Sequence, residues 1–135
     1  MPAEQTDVDI VLRCFDAFLG RDIEALLAIL APDVEVKSLM TEAERVYYHG
    51  HQGAREWMTA VFEIFPDWTP RPAEVQDLGG GAVLVRMDVT ATAAASGVPI
   101  DQNFWEISTL DDGKVTWFGF YRTGEDALAA LDERR

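Results

Sequence analysis

Apolar residues recur at helical spacing over 7–19, at Ile10, Val11, Cys14, Phe15 and Phe18, and predict an amphipathic helix. Thr6 or Asp7 is placed to cap its start, and Gly20 ends it. Asp22 caps a second, short helix carrying Ile23, Leu26, Leu27 and Leu30, with Pro32 just beyond. Residues 33–39 alternate as a strand, whereas 40–52 are polar and poorly periodic apart from Val46, Tyr47 and Tyr48, and read as a loop or short strand. Gly53 opens a third helix through Phe65, with Trp57, Met58, Val61, Phe62 and Phe65 on its apolar side, and Pro66 and Pro70 bracket its exit.

Beyond this point the period changes from helical to alternating. Strands are predicted over 72–78, 82–95, 99–110 and 114–122, punctuated by Gly79-Gly80-Gly81, Ser96-Gly97 and the hairpin signal Asp111-Asp112-Gly113. A last helix over 124–133 carries Ala127, Leu128 and Leu131. Without repeats, low-complexity tracts or linkers, the 135 residues read as one domain, 1–135. The expected class is α+β: a curved antiparallel sheet with helices packed on its concave side. Strands of about a dozen residues must coil, and a coiled sheet under helices leaves a conical, apolar pocket suited to a small molecule.

Charge narrows the partners. Eleven Lys and Arg face twenty-four acids, for a net charge of −13. Phosphate backbones are bound through cations, so nucleic acid is excluded, as is an anionic membrane surface; the charge reads as a solubility feature. No stretch approaches the roughly 18–20 apolar residues of a membrane span. The acidic start MPAEQTDVD lacks the features of a secretory signal, so a reducing cytoplasm is expected. Cys14 is the one cysteine, which excludes an internal disulfide and a cysteine-cluster metal site. His49 and His51 flank Gly50 before a helix; with no third ligand at a diagnostic spacing they read as packing or capping residues, and no metal or cofactor is expected.

Four stretches carry a family likeness. They are Arg21-Asp22-Ile23-Glu24-Ala25-Leu26 leading to Leu30-Ala31-Pro32-Asp33-Val34; His49-Gly50-His51-Gln52-Gly53-Ala54-Arg55-Glu56-Trp57; Ser96-Gly97-Val98-Pro99; and Asp112-Gly113-Lys114-Val115 with the acidic, Ala/Leu-rich tail. In this order and spacing the chain resembles the SnoaL-like branch of the nuclear-transport-factor-2-like superfamily. The resemblance implies a conical pocket, frequent homodimers, and members that are steroid isomerases, polyketide cyclases, epoxide hydrolases or non-enzymatic binders. Fold alone does not choose among them.

Aligned through Asp22 and Asp33, the general-base position of the steroid isomerases falls on Ser38, and their helix-borne Tyr falls on Cys14. Counting back from Gly113-Lys114, their late-strand oxyanion acid falls on Trp105, and the last-strand acid of the cyclases falls on Phe120. A serine hydroxyl is far too weak a base to replace a carboxylate near neutral pH. All three acids of the relatives are thus expected to be missing from the pocket. Epoxide-hydrolase relatives carry Arg-x-Asp in a central strand, matched here by Arg86-Met87-Asp88. Strand alternation puts Val83, Val85, Met87, Val89, Ala91 and Ala93 on one face and Leu84, Arg86, Asp88, Thr90 and Thr92 on the other, so Arg86 and Asp88 are expected to point outward.

The candidates that remain are Ser38, Arg86, Asp88 and Asn103 for catalysis. Those for ligand contact are Cys14, Phe18, Ser38, Trp57, Met58, Phe62, Met87, Asn103, Trp105, Phe118 and Phe120, with Asn103 on the same face as Trp105 and Ile107. Two classes of function stay open. One is a pocket that binds or transforms a hydrophobic polyketide, steroid-like or terpenoid metabolite. The other is a dimeric interaction or scaffold domain whose cone is filled by its own side chains, with Trp117 and Tyr121 offered to a partner.

Overall fold

The computed structural model describes residues 6–38 and 47–134. The elements follow the order α1 (Asp7–Leu19), α2 (Ile23–Ile29), β1 (Leu30–Lys37), β2 (Tyr47–His49), α3 (Gly50–Ile64), β3 (Thr69–Gly79), β4 (Ala82–Thr92), β5 (Pro99–Asp111), β6 (Lys114–Tyr121) and α4 (Gly124–Arg134). Local chemistry explains the helix starts. The Thr6 hydroxyl accepts from the Asp9 amide at 3.1 Å while the Asp9 carboxylate accepts from the Thr6 amide at 3.3 Å, a reciprocal cap. The Asp22 carboxylate accepts from the Ala25 amide at 3.1 Å at the head of α2.

The six strands form one curved, unclosed sheet in the order β2-β1-β6-β5-β4-β3. Neighbours are antiparallel except β1 and β6, which run parallel. Register shifts interrupt β3 near Pro72/Glu74 and Asp77/Gly79, the β5–β6 pair at Thr109/Leu110, and the β1–β6 pair between Leu30 and Glu35. Each such irregularity bends and twists the sheet locally. The bend wraps the sheet around α1 and α3.

The two faces of the sheet carry different loads. Val83, Val85, Met87, Val89 and Ala91 of β4 pack with Phe15 and Phe18 of α1, Leu26 of α2, and Trp57 and Val61 of α3 in one core. On the other face Leu84, Ile107 and Trp117 form a second apolar cluster with Ala127 and Leu131 of α4. The helices before the meander therefore pack on the inner face, and the last helix lies outside. This corrects the expectation that Trp117 serves a partner: α4 buries it to 1% exposure, and the Arg134 guanidinium lies 4.4 Å from its ring centroid. Of 40–52, where a loop or short strand was expected, residues 40–46, Val46 among them, lie outside the described residues, as does Leu39; Tyr47–His49 forms β2, and Gly50 already begins α3. No helix among the described residues is long and apolar enough to cross a membrane.

Candidate functional site

Between α1, α2, α3 and the inner face of the sheet lies a cavity of about 40 Å³. Cys14, Phe15 and Phe18 of α1 line it with Leu26 of α2, Trp57 of α3, Trp68 just before β3, and Pro70 of β3. The sheet adds Glu106 and Ser108 of β5, and Val115, Phe118 and Phe120 of β6. Aromatic rings fill most of the space. Trp57 stacks on Phe120 at 5.5 Å between centroids and meets Phe118 edge-on at 5.3 Å, while Phe18 leans on Trp57 at 5.5 Å.

The chemistry of this wall rests on Glu106. Its neighbours across the sheet are Val85 of β4 and Phe120 of β6, so the carboxyl projects from an apolar surface. Glu106 is 7% exposed, and the Ser108 hydroxyl donates to its Oε1 at 3.1 Å. Burial disfavours the charged carboxylate and pushes its pKa up to about 7; the Ser108 hydrogen bond opposes that shift without cancelling it. A carboxyl that titrates near neutral pH is suited to both donating and accepting a proton. Across the cavity the Cys14 thiol is pushed up to about 12, first by burial and then by the charge of Glu106, with Arg13 opposing. It stays protonated at neutral pH and is no nucleophile.

The residues singled out from sequence divide by place. Cys14, Phe18, Trp57, Phe118 and Phe120 line the cavity. Met58 and Met87 are buried in the surrounding core, and Phe62 packs on Phe18 at 5.0 Å and lines a groove between α2 and α3; none of the three reaches the cavity wall. Ser38 is buried at the end of β1, away from that wall. Asn103 and Trp105 are corrections: Asn103 is exposed, and Trp105 packs with the α4 cluster on the outer face. Arg86 and Asp88 also lie on the outer face, 3.9 Å apart, with Arg86 3.4 Å from Glu74. They cannot serve a ligand in the inner cavity, which removes the epoxide-hydrolase arrangement. His51 Nε2 lies 3.0 Å from the Leu30 carbonyl and ties the start of α3 to β1. No group of three or more metal-ligating side chains occurs among the described residues.

The relatives' three acids were expected to be missing from the pocket; Glu106 supplies an acid from a position beside them, which the sequence did not single out. The cause is a displacement of one position in β5. Alternate residues Phe104, Glu106 and Ser108 face inward, and Trp105 and Ile107 face outward, where α4 makes an apolar environment for them. With Asn103 and Thr109 on the outer side, both sets mix polar and apolar residues, so polarity does not identify the inner one, and a slip of one exchanges the faces. The hairpin register held the missing signal. β4 and β5 pair Val85 with Glu106 and Val83 with Ser108, which puts both polar residues beside inward-facing valines.

The SnoaL-like domain profile matches residues 11–118. No curated protein matches the chain. Among solved structures, TerC, co-crystallized with polyporic acid, superposes with a TM-score of 0.76 at 24% identity, over 94% of this chain and 95% of that one. A suggested polyketide cyclase from Sinorhizobium meliloti gives 0.69 at 26% identity, over 83% and 93%. IdmH from Streptomyces antibioticus, also a suggested polyketide cyclase, gives 0.74 at 19% identity, over 95% and 99%.

Proposed function

The chain belongs to the SnoaL-like domain family, and we propose that its inner cavity binds a hydrophobic metabolite of the polyketide kind, with Glu106 as the group that exchanges a proton with it. The observation that carries this reading is the buried carboxyl of Glu106 in a wall of aromatic side chains, poised to titrate near neutral pH. Phe18, Trp57, Phe118 and Phe120 supply the apolar surface that holds a flat ligand, and Glu106 with Ser108 supplies the polar end. The names of the cyclase relatives agree with a hydrophobic ligand of this class.

Size sets a condition on binding. Ligand pockets run to about 300–1,000 Å³, and a cavity of about 40 Å³ is far below that. A polycyclic ligand enters only if the stacked Trp57 and Phe120 rings and the neighbouring Phe18 swing aside. The scaffold reading draws on the same small volume: if the rings never part, the cone is only core.

Tryptophan fluorescence separates the two readings. Trp57 and Trp68 line the cavity, whereas Trp105 and Trp117 lie on the outer face. A polyketide-type aromatic probe is expected to quench the emission and to raise the melting temperature by mass action. Trp57→Phe should remove much of the quenching. In deuterated buffer the wild type should exchange an acidic carbon-bound hydrogen of the ligand, and Glu106→Gln should bind but not exchange. Absence of binding across a panel of such probes refutes the pocket, and exchange that persists in Glu106→Gln refutes the role of the carboxyl.

A further inference from the structure

We infer that the inner cavity sorts ligands by charge, and that its ligand presents a protonated amine, on an apolar body, to Glu106. The inference rests on the reading of the inner cavity as the ligand site. Among the lining residues the ionisable side chains are Glu106 and Cys14, and none is Lys, Arg or His. The facing elements put no cation on the lining; Arg13 of α1 acts on Cys14 through its charge without lining the cavity. α1 contributes Cys14, Phe15 and Phe18; α2 and α3 contribute Leu26 and Trp57; β3 and the residues before it contribute Pro70 and Trp68. Arg21 is engaged elsewhere, donating to the Pro66 and Trp68 carbonyls at 2.9 and 3.2 Å and lying 3.7 Å from the Phe62 ring centroid.

Three ligand chemistries meet this wall differently. A carboxylic acid would place a second carboxyl against Glu106 in an apolar space, where two like charges cannot both persist. An alcohol would gain one hydrogen bond. An ammonium would gain the hydrogen bond and an opposite charge, and the desolvation of Glu106 has already been met by folding. Six of the twelve lining residues are aromatic, surroundings that tolerate a cation better than aliphatic ones. Size agrees: one water needs about 10–15 Å³ by this measure, so the cavity holds roughly three non-hydrogen atoms, the nitrogen of an amine and its nearest carbons. The rest of the ligand would displace the aromatic rings. The net charge of −13 raises the local concentration of cations around the molecule.

The test uses n-propylamine, n-propanol and propionate, three heads on short chains little larger than the cavity, which need only a small displacement of the aromatic rings. Binding is measured by calorimetry and thermal shift at pH 8 and matched ionic strength, on wild type and Glu106→Gln. The amine is expected to bind wild type about tenfold or more tighter than the alcohol, a difference of roughly 1.4 kcal/mol, with propionate showing no binding. Glu106→Gln should lower the amine to the level of the alcohol. Equal binding of alcohol and amine by wild type overturns charge sorting and leaves the pocket intact. Amine binding unchanged in Glu106→Gln overturns it as well. If none of the three binds and polyketide-type probes also fail, the pocket falls with it. The wild-type series stands alone should the variant fold poorly.

Discussion

Replacing Glu106 by Gln should stabilise the protein, and by more at pH 8 than at pH 5. The substitution keeps the shape of the side chain and leaves a carbonyl to accept from Ser108, but removes the ionisation. In the folded chain the carboxyl titrates at about 7 against an ordinary value of 4.5. Between those values the native state holds a proton that the unfolded chain has released, so stability falls as pH rises through this window and the full penalty stands above it. At roughly 1.4 kcal/mol per pH unit, the difference between the two values corresponds to about 3 kcal/mol. Part of it is already present at pH 5, which leaves about 2–3 kcal/mol to appear between pH 5 and pH 8. Urea unfolding of both proteins at both pH values measures it, because every other titrating group contributes equally to wild type and variant and cancels in the double difference. An advantage for Glu106→Gln that is the same at pH 5 and pH 8 would refute the burial argument and the proton-exchange role that depends on it.

Three further outcomes follow from the packing. Trp117→Ala should cost about 3–5 kcal/mol in chemical unfolding, because the indole is enclosed beneath α4; a cost of a few tenths would mean that Trp117 serves an external partner. Asp88→Asn should leave ligand affinity within about twofold of wild type, since an exposed outer-face ion pair contributes little; a large loss of affinity or turnover would return Arg86 and Asp88 to the site. Gly81→Ala should lower stability by roughly 2 kcal/mol or more, because Gly81 has φ +79° and an added Cβ would lie 2.6 Å from the Leu110 carbonyl oxygen. An unfolding midpoint equal to wild type would contradict that geometry.

Element order was legible wherever one periodicity dominated. α1 carries both a capping residue and a clean apolar stripe, and it spans the residues its pattern predicts. β4 alternates apolar and polar residues, and its valines, Met87 and Ala91 face the core while Arg86 and Asp88 face away. Strands with two covered faces were harder. β5 packs inward on α1 and α3 and outward on α4, so Trp105 and Ile107 look like core from sequence and are core, but of the second cluster. The same ambiguity hid Glu106, whose place on the inner face follows from its pairing with Val85. In β6 an extra residue, Thr116, lies between the partners of Leu110 and Thr109 and bonds Thr109 at 2.8 Å between hydroxyls. It turns Val115 and Phe118 to the same face, which strict alternation does not allow. The α4 placement depends on long-range contact with Leu84, Ile107 and Trp117, which no local pattern encodes.

Carbon-13 NMR of the Glu106 carboxyl, titrated with and without a bound amine or polyketide-type ligand, tests most directly whether this buried acid is the polar heart of a ligand site. A free-protein midpoint near 7 that moves on ligand addition is the predicted result. A midpoint in the ordinary glutamate range, unmoved by any ligand that binds, would contradict it.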